Sequence, residues 1–466
     1  MLRVLSACAP KMSSYFSNYQ AKCTFRTVVY IASSRTLSTH EDPSVLMPHY
    51  KSLVDRGLYR EREYARFSSA RIFGASVQDG GKNVEIQWNN GTKSRYHSLW
   101  LRQSCHCPSC RHSSNLPSVN FNDVDVAAVI VRAETEGDKV LKVTWSDDPY
   151  HTGVFPPPFL KRYSYSDRDR EERNEDMKMV FNTNPKPSIP EVAYSDVMKT
   201  ELGLYNWLKI LNEVGICLVK DVPTRALEVK KVAERIAPVH ATVYGETFDV
   251  TDKPNPLNVA YSEQRLQLHM DQTPYESPPG IQFLHCFRFD KEVKGGNSFF
   301  VDIFHVAETL RTTHPEEFRS LVRIPATFDN TFYTRDVRFH MVYQRPHIAL
   351  NHDGKIVGVT WHPSMIGPLM TKEEDVEEYY RAYKCMATMV NTFPYQYNCR
   401  LEEGDLITFN NRRILHGRHH YDAKSGDRHL QGCYVQIDEF KSQVQVCSNT
   451  VGNGKLATRV GNLDWQ

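Results

Sequence analysis

The sequence predicts a mainly β protein with helical support: a β-sandwich or jelly roll, preceded by a smaller β module. Three observations predict it. Val84, Ile86 and Trp88 alternate with Glu85 and Gln87, and Leu141, Val143 and Trp145 alternate with Lys142 and Thr144. Such period-two patterning marks strands with one buried face. Short apolar runs recur at Ile216–Val219, Ile281–Phe287, Phe299–Val301, Leu406–Phe409 and Gly432–Ile437. Only a few stretches keep helical spacing, and many strands with few helices form a layered β architecture.

Composition narrows the class. A chain of 466 residues has room for two or three domains, and 40% hydrophobic with 24% charged residues is the balance of a globular protein. A net charge of +2 gives no strong basic field for nucleic acid. Apolar runs such as Val28–Ala32 fall far short of the ~20 residues that a membrane helix needs. Eleven cysteines, scattered apart from one cluster, fit a reducing compartment better than a disulfide framework. The first forty residues hold five Lys or Arg, seven Ser and no Asp or Glu. Residues 1–40 are therefore expected to be a mitochondrial transit peptide, cleaved near Arg35, with a cytoplasmic location as the alternative.

The smaller β module is expected over 73–155, with Glu136-Gly137-Asp138 as a hairpin turn. It is short of core for its size, so a metal staple suits it. Cys105, Cys107 and Cys110 have the C-x-C-x-x-C spacing that can converge on a structural Zn2+. His151, His112 and His106 are candidates for the fourth ligand. His106 sits between residues already committed to the metal, and a closed site usually joins distant segments, which favours His151. Pro156-Pro157-Pro158 then opens a stretch, 156–191, read as a linker whose charge run is a solvated helix or loop.

The larger domain is expected over 192–450, with a tail at 451–466. Leu204–Leu211 and Thr224–Ile236 read as helices. So does the segment after Thr371-x-x-Glu374, a capping-box pattern, where Val376, Tyr379, Tyr380, Tyr383, Ala387 and Val390 share one face. At the centre lies His269-Met270-Asp271, in which residues i and i+2 of a strand share a face and can grip one metal ion. His416 lies far downstream, and Arg428 follows it by twelve residues. Two His and one carboxylate form the facial triad of non-haem Fe(II) oxygenases, which leaves open positions. An arginine nearby suits a carboxylate-bearing co-substrate. Gly295-Gly296-Asn297-Ser298 forms a turn where backbone can approach a ligand. His285, His314, His340, His347 and His362 read as core or surface histidines.

HMDQTPYESPPGIQFLHC, GGNSFFVD, FNNRRILHGR and RHLQGCYV together resemble the family of γ-butyrobetaine and trimethyllysine dioxygenases, 2-oxoglutarate-dependent oxygenases related to taurine dioxygenase. The resemblance runs over nearly everything after the transit-like segment. It implies a double-stranded β-helix (jelly roll), with the small zinc-binding module held by Cys105, Cys107, Cys110 and His151. It implies Fe(II) on His269, Asp271 and His416, and 2-oxoglutarate on Arg428 and Ser298, with ascorbate as reductant and a homodimeric assembly. The substrate of such enzymes is a small trimethylammonium compound that reacts with O2. An aromatic cage at Tyr244, Phe248, Tyr261 and Tyr434 would hold the cation, and Asn258 its carboxylate. Two positions depart from the family: Phe248 replaces tryptophan, and Trp361-His362-Pro363 replaces paired asparagines. The expected reaction is hydroxylation of γ-butyrobetaine to L-carnitine. Hydroxylation of trimethyllysine, or a non-catalytic protein that binds quaternary amines, is the alternative. A zinc hydrolase on the same triad would need a general base that the sequence does not offer.

Overall fold

The structure is a computed structural model that describes residues 65–105, 107, 110, 121–137, 140–251, 262–333 and 338–460. The segment expected to be a transit peptide lies outside the described residues. No helix among them is long and apolar enough to cross a membrane.

The smaller module is two antiparallel three-stranded sheets. Strands β1 (Ile72–Gln78), β2 (Asn83–Trp88) and β3 (Lys93–His97) form one, and β4 (Ile130–Glu136), β5 (Val140–Trp145) and β6 (Thr152–Phe155) form the other. The alternation has its expected effect: Val84, Ile86, Trp88, Leu141, Val143 and Trp145 share one core. Its two fully buried tryptophans have their ring N–H groups satisfied, Trp88 by Ser94 Oγ at 2.8 Å and Trp145 by the Ser98 carbonyl at 3.2 Å. Gly137, with φ +62°, joins β4 to β5 as the expected hairpin requires; Asp138 of that turn is outside the described residues.

The stretch expected to be a linker carries two helices, Pro157–Arg162 and Asp167–Asp176. Most of its charges are solvated, but Asp169 is buried. It pairs with Lys161 at 2.6 Å and accepts hydrogen bonds from Ser166 and Ser94. These contacts tie the charge run to the first sheet.

In the larger domain, β7 (Glu191–Ala193), β8 (Ile216–Lys220), β9 (Thr247–Val250), β10 (Leu266–His269), β11 (Ile281–Phe289) and β12 (Ser298–Asp302) come first. An insertion follows with two hairpins, β13 (Pro325–Phe332) with β14 (Phe339–Pro346) and β15 (Ile348–Leu350) with β16 (Ile356–Val359). Strands β17 (Tyr397–Cys399), β18 (Leu406–Asn410), β19 (Ile414–Arg418) and β20 (Arg428–Val435) complete it. One sheet has the order β7-β8-β18-β11-β20-β9 and the other β10-β19-β12-β17. All neighbours are antiparallel except β7 and β8. From β17 onward the chain enters the two sheets alternately, the winding of a jelly roll.

The inner strands read as unbroken apolar runs because helices cover the outer faces. Cys217 and Val219 of β8 pack outward on helices Glu201–Glu213 and Ile437–Thr450, while Ile216 and Leu218 join Phe300, Phe409 and Leu430 between the sheets. Helices Ile303–Thr313, Pro315–Arg323 and Glu373–Thr392 cover Leu268, Phe299, Val301 and Leu415 of the smaller sheet. Arg413, fully buried between β18 and β19, pairs with Asp302 at 2.7 Å and donates to the carbonyls of Val180 and Glu213.

Four elements differ from their sequence readings. The helix expected over Thr224–Ile236 is only Glu228–Ala233, because Leu227 takes a left-handed φ of +64° and gives its N–H to Gln431 Oε1 at 2.9 Å. The strand expected to reach Ile437 stops at Val435, and Ile437 opens a helix. The capping-box pattern does not cap: the helix starts at Glu373 after Lys372, and Thr371 Oγ1 reaches Asp375 instead. Three acidic residues in that first turn complement the helix dipole. Within the expected tail, Leu456, Ala457 and Val460 are buried, and Thr458 hydrogen-bonds Asn212.

Candidate active site

Strand pairing delivers the histidines. His269 on β10 and His416 on β19 face each other in register, with ring centroids 4.1 Å apart. Strand β10 ends at His269, so Asp271 lies just beyond it, and the next residue, Gln272, turns away with φ +60°. The backbone of Asp271 is held on both sides by Asn411, which accepts from its N–H at 2.8 Å and donates to its carbonyl at 3.1 Å. Asp271 Oδ1 is 3.2 Å from His269 Nε2 and 3.8 Å from His416 Nε2. Three atoms bound at right angles to one ion, each roughly 2.1 Å away, would lie roughly 3 Å apart. The donor set and spacing therefore fit a divalent metal. His269 Nδ1 donates to the Gln267 carbonyl at 2.7 Å, which leaves Nε2 as the atom that could bind a metal.

Electrostatics favour the ligating forms. Burial pushes the His416 pKa down to about 3, helped by His269 beside it, so the ring is neutral. Burial alone would raise the Asp271 carboxyl, but His416, His269 and Tyr434 outweigh it and hold it well below the usual carboxylate range. The other oxygen, Oδ2, accepts from Gln282 Nε2 at 2.7 Å and from the Tyr434 hydroxyl at 2.6 Å.

The triad opens on a cavity of about 280 Å³. On one side are Ser298, Arg418 and Arg428; Ser298 and Arg418 are register partners on β12 and β19. Arg428 is buried and pairs with no acidic side chain among the described residues, and its Nε lacks a partner. Burial, with Arg418 close by, pushes its guanidinium down to about 10. On another side are Tyr244, Phe248 and Tyr434, with Phe248 stacked on Tyr434 at 5.1 Å. Gly432 is the register partner of Phe248, and a Cβ there would stand 2.5 Å from the Phe248 ring. The glycine is what lets that ring lie flat on the sheet. Asn258 and Tyr261 lie outside the described residues.

Several cavity residues were not legible as such. His362, read as core or surface, is buried edge-on against His269 at 4.8 Å and lines the cavity. Burial, then His269, hold its pKa well below normal. The preceding Trp361 carbonyl accepts from Met270 N, which brings that loop to the triad. Asp329 and Asn330 arrive from the β13 hairpin, and Gln282 from the start of β11. Period-two reading from Ile281 does place Gln282 on the face opposite Ile281 and Phe283; that was the available signal.

In the smaller module, His151 Nε2 lies 3.5, 3.1 and 3.5 Å from the sulfurs of Cys105, Cys107 and Cys110. A tetrahedral Zn2+ with its ordinary bond lengths would set sulfur and nitrogen about 3.6 Å apart. Contacts with Cys105 and Cys110, and with His151, hold the Cys107 thiol below its ordinary value. Arg102 donates to Cys110 Sγ, and Trp145 stacks on the His151 ring. His106 and His112 lie outside the described residues.

A family profile described as "Taurine catabolism dioxygenase TauD, TfdA family" matches residues 178–434, and one described as "Gamma-butyrobetaine hydroxylase-like, N-terminal" matches 75–161. The chain is 34% identical over 374 residues to γ-butyrobetaine dioxygenase of Pseudomonas sp. (strain AK-1), covering 80% of this chain and 95% of that one. It is 30% identical over 390 residues to γ-butyrobetaine dioxygenase of Homo sapiens, covering 82% and 98%. It is 25% identical over 402 residues to mitochondrial trimethyllysine dioxygenase of Homo sapiens, covering 85% and 92%.

Proposed function

We infer the reaction from one premise: this chain belongs to the TauD, TfdA family of dioxygenases, within its γ-butyrobetaine and trimethyllysine dioxygenase group, and is a 2-oxoglutarate-dependent dioxygenase. We propose that it hydroxylates γ-butyrobetaine to L-carnitine: R–H, O2 and 2-oxoglutarate become R–OH, succinate and CO2. The observation that carries the proposal is the content of one cavity. A two-His, one-carboxylate triad, a buried arginine paired with no acid among the described residues and a stack of aromatic rings all line it.

His269, Asp271 and His416 would hold Fe(II), each through one atom. When bound, that iron supplies the oxidative decarboxylation of 2-oxoglutarate that drives hydroxylation of an unactivated C–H bond. The chain's part is to bind and orient. Arg428 receives the far carboxylate of 2-oxoglutarate, with Ser298 beside it, and burial makes that charged pair strong. Tyr244, Phe248 and Tyr434 receive the trimethylammonium group, which has no N–H to donate and is held by ring faces, with about 2 kcal/mol available for a desolvated contact. Cys105, Cys107, Cys110 and His151 would hold a structural Zn2+, a closed site with no position for substrate.

A second reading, hydroxylation of trimethyllysine, is favoured by Asp329. Its carboxylate lines the same cavity and would suit the α-ammonium group that trimethyllysine has and γ-butyrobetaine lacks. Mitochondrial placement is supported by the composition of residues 1–40 and by the mitochondrial trimethyllysine dioxygenase relatives. The test offers both amines in parallel and follows succinate release. Faster turnover of γ-butyrobetaine is expected. Turnover of trimethyllysine alone would reassign the substrate, and a rise in its rate over γ-butyrobetaine would trace to Asp329 if lost in Asp329→Asn.

A further inference from the structure

We propose that Gln282 and Tyr434 are a positioning pair that restricts Asp271 to one metal-facing oxygen, and that Tyr434 links the aromatic pocket to that ligand. The inference rests on reading His269, Asp271 and His416 as metal ligands.

The geometry divides the Asp271 carboxylate into two halves. Oδ1 faces both histidine Nε2 atoms, at 3.2 and 3.8 Å. Oδ2 takes two hydrogen bonds, from Gln282 Nε2 at 2.7 Å and the Tyr434 hydroxyl at 2.6 Å. An oxygen occupied by two donors is not available to a metal, so the carboxylate binds through one atom. A metal held by three protein atoms would keep room for a chelating keto acid and O2, and binding by both carboxylate oxygens would take part of that room. The two donors do not depend on chance rotamers. Gln282 and Tyr434 are direct register partners on β11 and β20, both almost fully buried, so the sheet fixes the distance between them.

Tyr434 has a second contact. Its ring stacks on Phe248, which lies over Gly432, at the aromatic end of the cavity. One side chain thus lines the cavity beside Phe248 and gives its hydroxyl to the metal ligand. A cation on the ring withdraws electron density and makes the hydroxyl a stronger donor. Occupation of the pocket is thereby felt at Asp271, and decarboxylation is tied to the presence of substrate.

The test uses the full-length zinc-containing protein, wild type, Tyr434→Phe and Gln282→Met. Both substitutions keep roughly the same shape and remove the donor; the amide oxygen that Gln282→Met also removes accepts no hydrogen bond among the described residues. Mn(II) is titrated without co-substrate, and free Mn(II) is read by electron paramagnetic resonance. Loss of either donor should weaken Mn(II) binding about tenfold, the lower end for partners of metal ligands. Tyr434→Phe should also release more succinate than hydroxylated product, with little change in the KM for the amine, because the ring face remains. Wild-type Mn(II) affinity and full coupling in both variants, each with native circular dichroism, would overturn the proposal. If one variant fails to fold, the other decides by the same readouts. Wild-type protein that binds no Mn(II) would overturn the metal-ligand reading itself, a different result from unchanged variants.

Discussion

Arg428→Met will raise the KM for 2-oxoglutarate by about 10²-fold or more without lowering thermal stability. The two halves of this expectation come from one fact: Arg428 is buried, and no acid among the described residues pairs with it. An uncompensated buried charge burdens the fold by several kcal/mol, and an apolar side chain of similar length removes the burden. The same charge is valuable once a carboxylate arrives. Truncating one member of a buried, hydrogen-bonded charge pair costs about 2–5 kcal/mol, or roughly 30- to 4,000-fold in affinity. Phe289 and Tyr421, whose rings lie 5.3 and 5.8 Å from the guanidinium, hold it in place meanwhile. Steady-state kinetics in 2-oxoglutarate and a thermal melt decide the matter. An unchanged KM would remove Arg428 from the co-substrate site, and a large fall in melting temperature would make it a structural residue.

Removing a ligand of the proposed zinc site should act on folding rather than on chemistry. The two three-stranded sheets of the smaller module share one modest core, and Cys105, Cys107 and Cys110 are part of it. A structural Zn2+ contributes apparent binding energies of about 10–16 kcal/mol, which becomes folding energy when the site does not exist in the unfolded chain. Cys107→Ser should abolish stoichiometric zinc and expose β5 and β6 to rapid hydrogen exchange, because His151 follows β5 and stacks on its Trp145. Elemental analysis and exchange mass spectrometry check both. Retained zinc, or unchanged protection of β5, would show that the cluster does not staple the module.

The parts legible in the sequence are those governed by period and type. Strand alternation marks β2 and β5 because one face of each is buried and the other only partly so. The run at β8 reads as a buried strand from its unbroken apolar residues, whereas β11 is legible only as a strand, since what covers its faces comes from elements distant in the chain. His269, Asp271 and His416 could be grouped through residue type and company, although only pairing of β10 with β19 brings them together. What stayed hidden depends on cross-strand register. Gln282 and Tyr434 are 152 positions apart, and nothing local says that both hydrogen-bond one carboxylate oxygen. His362 was illegible for a similar reason, because the loop that carries it is brought to the triad by tertiary bonds, among them that from Met270 N to the Trp361 carbonyl. Leu227 shows the opposite failure. Its helical spacing was sound, and a tertiary bond to Gln431 overrode it.

Labelled oxygen tests the central claim most directly. Purified protein with Fe(II), 2-oxoglutarate and γ-butyrobetaine is supplied with 18O2, and both products are weighed by mass spectrometry. The account predicts one heavy oxygen in succinate and one in the hydroxylated amine, in equal amounts. Folded, iron-loaded protein that yields neither labelled product from γ-butyrobetaine nor from trimethyllysine would contradict it.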